Sequence, residues 1–150
     1  MTHLKEGDKA PLFTGLDQDG NKVSLKELKG QKVILYFYPE DMTPTCTTQA
    51  CNLRDNHAIL KKNGFTIIGV SPDTAARHKK FESTYKLPFT LITDEDHSII
   101  NMYGVWGEKS MYGRTYMGLH RTTFVISEKG TITKVILKPK SKAHAEEIMA

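Results

Sequence analysis

KVILYFY, residues 32–38, is the stretch that most limits how this chain can fold. After Lys32 every side chain is aliphatic or aromatic, and apolar and polar residues do not alternate. A strand that is apolar on both faces must be covered on both faces, which requires helices or a second layer on each side of its sheet. FTIIGV, residues 65–70, has the same character. Pro39 ends the first run, and the segment between the two reads as helix over 46–63. There Ala50, Leu53, His57 and Leu60 recur every three to four residues, and Asn63-Gly64 forms the stop. Ser71-Pro72-Asp73 opens a second helix running to about Tyr85. Residues 89–92 read as a short strand and 94–103 as a helix with acids in its first turn. Residues 104–119, rich in glycine and aromatics, read as a loop. Residues 122–126 and 131–137 form a hairpin around Glu128-Lys129-Gly130. A last helix covers 143–149, and a short edge strand is expected at 22–25. The order β-α-β-α-β-(α)-β-β-α predicts an α/β fold, a central mixed sheet flanked by helices.

At 150 residues the chain fits one domain, 1–150, with a real core. No apolar run approaches the ~20 residues that a membrane helix needs, so no membrane role is expected. The opening MTHLKEGDKAP lacks the apolar core of an export signal, which predicts a cytoplasmic protein. The net charge of +4 comes from scattered lysines, without the interleaved aromatics of a single-strand binder, so no nucleic-acid partner is expected.

The chain has only two cysteines, Cys46 and Cys51, both in YFYPEDMTPTCTTQACNLRD at 36–55. Two cysteines cannot form a disulfide scaffold, and a close pair in a reducing compartment points to redox or metal chemistry. Cys46 falls where a helix begins. Unpaired N–H groups and the positive end of the helix dipole favour a thiolate there. That effect has a ceiling. A free thiol is about 3% ionised at neutral pH, so full ionisation gains at most ~30-fold, or roughly 2 kcal/mol. A fast thiol enzyme also needs groups that stabilise charge on the leaving atom. Cys51 is five residues on. In an intact helix such residues have Cα atoms roughly 8–9 Å apart, and a disulfide tolerates about 7 Å. If the two ever pair, the first turns of the helix must unwind. Inert packing remains an alternative on spacing alone. A metal site would want more ligands than these two and His57, so none is expected. The other histidines (His3, His78, His97, His120, His144) read as surface or hydrogen-bonded residues.

Pro39-Glu40-Asp41-Met42-Thr43-Pro44-Thr45-Cys46 resembles the Pro-x-x-x-Thr-x-x-Cys signature of peroxiredoxins. The longer FYPEDMTPTCTTQACNLRD looks like the peroxiredoxin Q, or bacterioferritin comigratory protein, subgroup. A second block is similar as well: ITDEDHSIINMYGVWGEKSMYGRTYMGLHRTTFVI, with its acidic segment, Gly-Val-Trp-Gly, and an arginine leading into a strand. The resemblance spans residues 4–137 and implies a thioredoxin-like fold. It implies that Cys46 is the peroxidatic nucleophile and that Thr43 hydrogen-bonds thiolate and peroxide. Pro39 would shield the pocket, and Arg121 would fix the thiolate and polarise the peroxide. Cys51 would be the resolving cysteine, closing a disulfide through local unwinding. The implied activity is thiol-dependent reduction of hydrogen peroxide and organic hydroperoxides, recycled by thioredoxin or a similar dithiol, in a monomer without cofactor or metal. Thr45 replaces the glycine usual before the nucleophile, and Gln49 stands where many members carry glutamate. Trp106, Tyr112 and Tyr116 are expected in a loop packed near the pocket. Arg54 is expected either to support Arg121 or to pair with Glu40, Asp41 or Asp55. A general disulfide oxidoreductase is the second reading, weakened by the lack of Cys-x-x-Cys. A stoichiometric redox sensor is the third, and a basic nucleic-acid binder a distant fourth.

Overall fold

A computed structural model describes residues 2–150. The two apolar runs form the middle of a five-stranded sheet. β3 (Lys32–Phe37) and β4 (Phe65–Ser71) pair in parallel from Lys32↔Phe65 to Phe37↔Val70. β5 (Thr90–Thr93) adds in parallel to β4, while β8 (Thr122–Ile126) and β9 (Ile132–Leu137) add in antiparallel sense on the other side. The strand order is β5-β4-β3-β8-β9.

The pleat of β3 sends alternate side chains into two cores. Val33, Leu35 and Phe37 pack with Ile68, Val70, Tyr103 and Phe124. Ile34, Tyr36 and Tyr38 pack with Cys46, Ala50, Leu53 and Phe81. Burial on both faces is thus what the unalternating sequence of 32–38 requires.

The helices differ from expectation in detail. The segment expected as one helix over 46–63 is two: α1 (Pro44–Asp55) and α2 (His57–Lys62). The break is at Asn56, whose side-chain amide donates to the Asn52 carbonyl at 2.8 Å and competes with the helical ladder. α1 starts two residues early because Pro44, behind Thr43 at the cap, is preset for a first helical turn. Ser71 closes β4, and α3 (Ala75–Tyr85) starts only after Thr74, whose hydroxyl accepts from Arg77 N–H. α4 (Ser98–Met102) is shorter than expected, because Asp94 caps it from outside through the N–H groups of Ile99 and Ile100.

Two hairpins lie outside the main sheet. β1 (Thr14–Leu16), which the sequence did not announce, pairs with β2 (Lys22–Ser24). The strand expected at 22–25 is therefore part of a separate ribbon, and Leu25 turns into a buried 3-10 turn. The expected loop over 104–119 is a hairpin of β6 (Trp106–Met111) and β7 (Arg114–Leu119). Its two-residue turn, Tyr112-Gly113, has positive φ at both positions, the twist that suits a tight hairpin. Most of its side chains face solvent on both sides, so no apolar alternation marked it. Among the described residues no helix is long and apolar enough to cross a membrane.

The last helix, α5 (His144–Met149), docks on α1 and β8. Asn52 accepts from Ala145 N–H at 2.9 Å and donates to the Lys142 carbonyl at 3.0 Å. His144 is buried between the Thr123 hydroxyl and Glu147. Burial holds its pKa below the ordinary 6.5, against the opposing pull of Glu147. The folded chain therefore binds this proton less readily than the unfolded chain. The stabilising contribution is complete above about 6.5 and is lost as pH falls through the depressed value. Thermal melts across that window are expected to show Tm falling with acidification, with a shallower slope in His144→Gln. An unchanged slope in the variant would remove His144 as the cause.

Candidate active site

Eight residues before Cys46, Tyr38 follows the end of β3. Pro39 follows, half-buried, and stops the strand. The chain crosses to Thr43, which caps α1, and Pro44 and Thr45 fill the first turn. Cys46 thus sits in the first turn of α1, 1% exposed, pressed against the Tyr36–Tyr38 face of the sheet. Arg121, from the residue just before β8, donates from Nη1 to Cys46 Sγ at 3.0 Å. Nη2 of the same guanidinium donates to Gln49 Oε1. A cation with an N–H aimed at sulfur stabilises negative charge there, and its second arm fixes the angle of approach.

The sequence placed Cys46 and Arg121 at one site across 75 residues, and the structure joins them. Gln49 is the partner that a reading of the nucleophile alone would pass over. It is fully buried one turn after Cys46, on the same side of α1. Its Nε2 and Arg121 Nε lack partners among the described residues. Both are donors, so the site has spare N–H capacity beside the thiol.

Thr43 is at the site but turned aside, its hydroxyl donating to the Glu40 carbonyl at 3.2 Å. It makes no hydrogen bond to Cys46 among the described residues. Cys51 is on the same intact helix, half-buried, and borders a shallow depression with Thr47, Asn52 and Lys142. Neither cysteine is in a disulfide, and α1 is continuous between them.

A cleft of about 220 Å³ opens beside Arg121, lined by Thr45, Lys109, His120, Thr122, Leu137 and Lys138. Burial, with Lys109 and Lys138 nearby, lowers the pKa of His120. The cleft borders the guanidinium and is large enough for a small molecule.

Several expectations fail here. Trp106, Tyr112 and Tyr116 do not pack over the pocket; they are 36%, 98% and 42% exposed on the β6–β7 hairpin. Trp106 meets the His97 ring, with centroids 4.6 Å apart. Arg54 does not support Arg121. It pairs with Asp55 at 2.9 Å and donates to the Tyr85 carbonyl at 2.8 Å, one of the expected alternatives. His78 and Asp41 form a buried pair beneath the loop before Thr43. Nothing in the sequence linked them, since they lie 37 residues apart. Asp41, Asp73 and His78 bring ligand-type atoms within 4.8 Å of one another, and those atoms are hydrogen-bonded among themselves and to Tyr38 and Ser71.

A buried thiol held by a guanidinium, next to a helix start and a small cleft, is arranged to attack an electrophile whose leaving atom gathers negative charge. The chain is similar in sequence and fold to known proteins. The sequence profile of the AhpC/TSA family matches residues 6–135. Peroxiredoxin Bcp of Escherichia coli K12 is 46% identical over 149 residues, 99% of this chain and 96% of the relative. The Xanthomonas campestris bacterioferritin comigratory protein, studied for its alkyl peroxide reduction activity, superposes with a TM-score of 0.87 at 29% identity, covering 95% of each chain. A PrxQ mutant of Xylella fastidiosa superposes with a TM-score of 0.92 at 27% identity, over 99% of this chain and 95% of the other.

Proposed function

This chain belongs to the AhpC/TSA family, in its Bcp/PrxQ peroxiredoxin branch, and on that premise we propose a cycle in which Cys46 is the peroxidatic cysteine and Cys51 the resolving one. The branch is one of thiol peroxidases, and the thioredoxin-like fold described above is theirs. The observation that carries the residue assignment is the Arg121 guanidinium donating to Cys46 Sγ.

The Cys46 thiolate attacks one peroxide oxygen. An S–O bond forms, the O–O bond breaks, and the electron pair leaves on the distal oxygen, which takes a proton to become water or an alcohol. Arg121 stabilises that developing charge, and Thr43, once its hydroxyl swings from Glu40, holds the peroxide. Pro39 closes the strand side of the pocket to water. Cys46 is left as a sulfenic acid. The Cys51 thiolate then attacks the Cys46 sulfur, forming the disulfide and releasing the hydroxyl as water. Because α1 cannot bring the two Cα atoms within bonding range, its first turns unwind at this step. A dithiol reductant reopens the disulfide by exchange, and thioredoxin is the reductant we propose. One chain supplies both cysteines and Arg121, which supports action as a monomer. A reducing cytoplasm fits thiols that must return to the reduced state.

Intact mass of reduced protein after a single equivalent of hydrogen peroxide tests the cycle. The expected result is loss of two hydrogens, mapped to a Cys46–Cys51 bridge. Cys51→Ser should instead retain an oxygen on Cys46 and recycle poorly with thioredoxin. An oxygen that stays on Cys46 in the unaltered protein removes Cys51 as the resolver. No change at either thiol overturns the assignment of both.

A further inference from the structure

The loop between β3 and α1 contains a strained step. Met42 has φ +70°, the left-handed region that a non-glycine residue holds only when its surroundings impose it. Just before it, Asp41 is fully buried, and each of its polar groups is engaged. Its N–H donates to Asp73 Oδ2 at 2.8 Å, and its carbonyl accepts from Arg77 Nη2 at 2.9 Å. Oδ1 accepts from the Tyr38 hydroxyl at 2.6 Å, and Oδ2 lies 2.6 Å from His78 Nδ1. Asp73 is held in turn by the Ser71 hydroxyl at 2.6 Å. The anchors come from the ends of β3 and β4 and from α3, so one loop residue is tied to three elements.

The protons can be counted from the partners. His78 Nε2 lies 3.0 Å from the Ile92 carbonyl, which only accepts, so Nε2 carries a hydrogen. Nδ1 and Asp41 Oδ2 share one more. The pair holds two protons and is neutral as a unit, which is how it avoids the cost of an unpaired buried charge. We propose that Asp41, clamped by Tyr38 and His78, is a positioning residue for peroxide reduction: it fixes residues 39–43 so that Thr43 and Cys46 meet the peroxide in register with Arg121. This rests on the assignment of Cys46 as the peroxidatic cysteine. Asp41 is two residues from Thr43, and Thr43 is three from Cys46. The Glu40 carbonyl on which the Thr43 hydroxyl rests is also part of this loop. A displacement of about 1 Å at reacting atoms costs roughly 100-fold in rate.

The test compares two reactions of Cys46, each followed by peptide mapping. Oxidation by hydrogen peroxide needs the aligned pocket, whereas alkylation by iodoacetamide needs only the thiolate. Asp41→Ala is expected to slow oxidation by roughly 10- to 100-fold and leave alkylation within about 2-fold. Asp41→Asn is expected to restore oxidation to within about 3-fold of the unaltered protein. Asparagine can accept from Tyr38 and donate to Nδ1 of a neutral His78, keeping each side-chain bond without the carboxylate. Asp41→Ala leaves His78 buried without its partner and can unfold the chain. Arg77→Gln is therefore the second variant: it cuts the half-exposed clamp on the Asp41 carbonyl and is expected to slow oxidation by about 3- to 10-fold, again without changing alkylation. Oxidation and alkylation changing in parallel, Asp41→Asn as slow as Asp41→Ala, or folded Asp41→Ala and Arg77→Gln oxidising at the full rate would each overturn the proposal. Unaltered protein that is not oxidised at Cys46 overturns the assignment of Cys46, a result that no Asp41 variant can mimic.

Discussion

Cys46→Ser is expected to abolish peroxide reduction, lowering turnover by at least ~1,000-fold in a coupled assay that follows peroxide and dithiol together. The substitution changes one atom in a fully buried site. Serine fits the space, and Arg121 Nη1, now 3.0 Å from the sulfur, can donate to its oxygen instead. The fold should survive, at a cost of about 1–2 kcal/mol for a hydroxyl in an apolar cluster. What is lost is the nucleophile. An alcohol does not ionise near neutrality, and no histidine or carboxylate among the described residues contacts Cys46 to serve as a base. Arg121 and Gln49 supply N–H donors on one side, and the sheet supplies apolar contacts on the other. The site therefore supplies donors that stabilise negative charge on the nucleophile and no base to activate a hydroxyl. The remaining thiol, Cys51, lies on another side of α1 away from Arg121, so it cannot substitute. Substantial turnover in Cys46→Ser would place the chemistry at a different residue.

The parts of this architecture that were legible in the sequence were those with a strong local signature. The unalternating runs at 32–38 and 65–70 specified strands buried on both faces. A helix start was read at Cys46, two residues after its place in the structure, with a reactive residue in its first turn. Arg121 was legible only through resemblance, since no spacing rule ties it to Cys46. The misses have separate physical causes. The β6–β7 ribbon is solvated on both faces, so it carries no periodicity, and its glycines and aromatics resemble a loop. β1 is three residues long and is held mainly by pairing with β2. Asn56 splits the long helix through a side-chain bond that competes with the backbone, a matter of a few tenths of a kcal/mol to about 1 kcal/mol that hydrophobic spacing cannot register. The Asp41–His78 pair was invisible for the opposite reason: a buried ion pair is defined by what surrounds it, and both residues have polar sequence neighbours.

Arg121→Met is the second large effect, with an expected loss of about 100- to 1,000-fold in the second-order rate of Cys46 oxidation by peroxide. Methionine keeps most of the side chain's volume, so the change removes donors more than packing. Two bonds go at once, one to Cys46 Sγ and one to Gln49 Oε1. The thiolate loses its cation and the departing oxygen loses its donor, effects that act on different stages of the same step. Arg121→Lys separates them. An ammonium retains the charge but cannot span sulfur and amide as a fork, so oxidation should recover only partly, by roughly 10-fold over methionine. Gln49 sharpens the argument. The partner on α1 is a neutral amide, and among the described residues no carboxylate pairs with the guanidinium to offset its charge at the sulfur. Gln49→Glu should therefore slow oxidation slightly while tightening the hold on Arg121, the reverse of what a purely mechanical role for this contact predicts. If Arg121→Met oxidises within about 3-fold of the unaltered protein, the helix N-terminus alone is sufficient to activate Cys46, and the ceiling of ~30-fold set by simple ionisation would be all that this site adds.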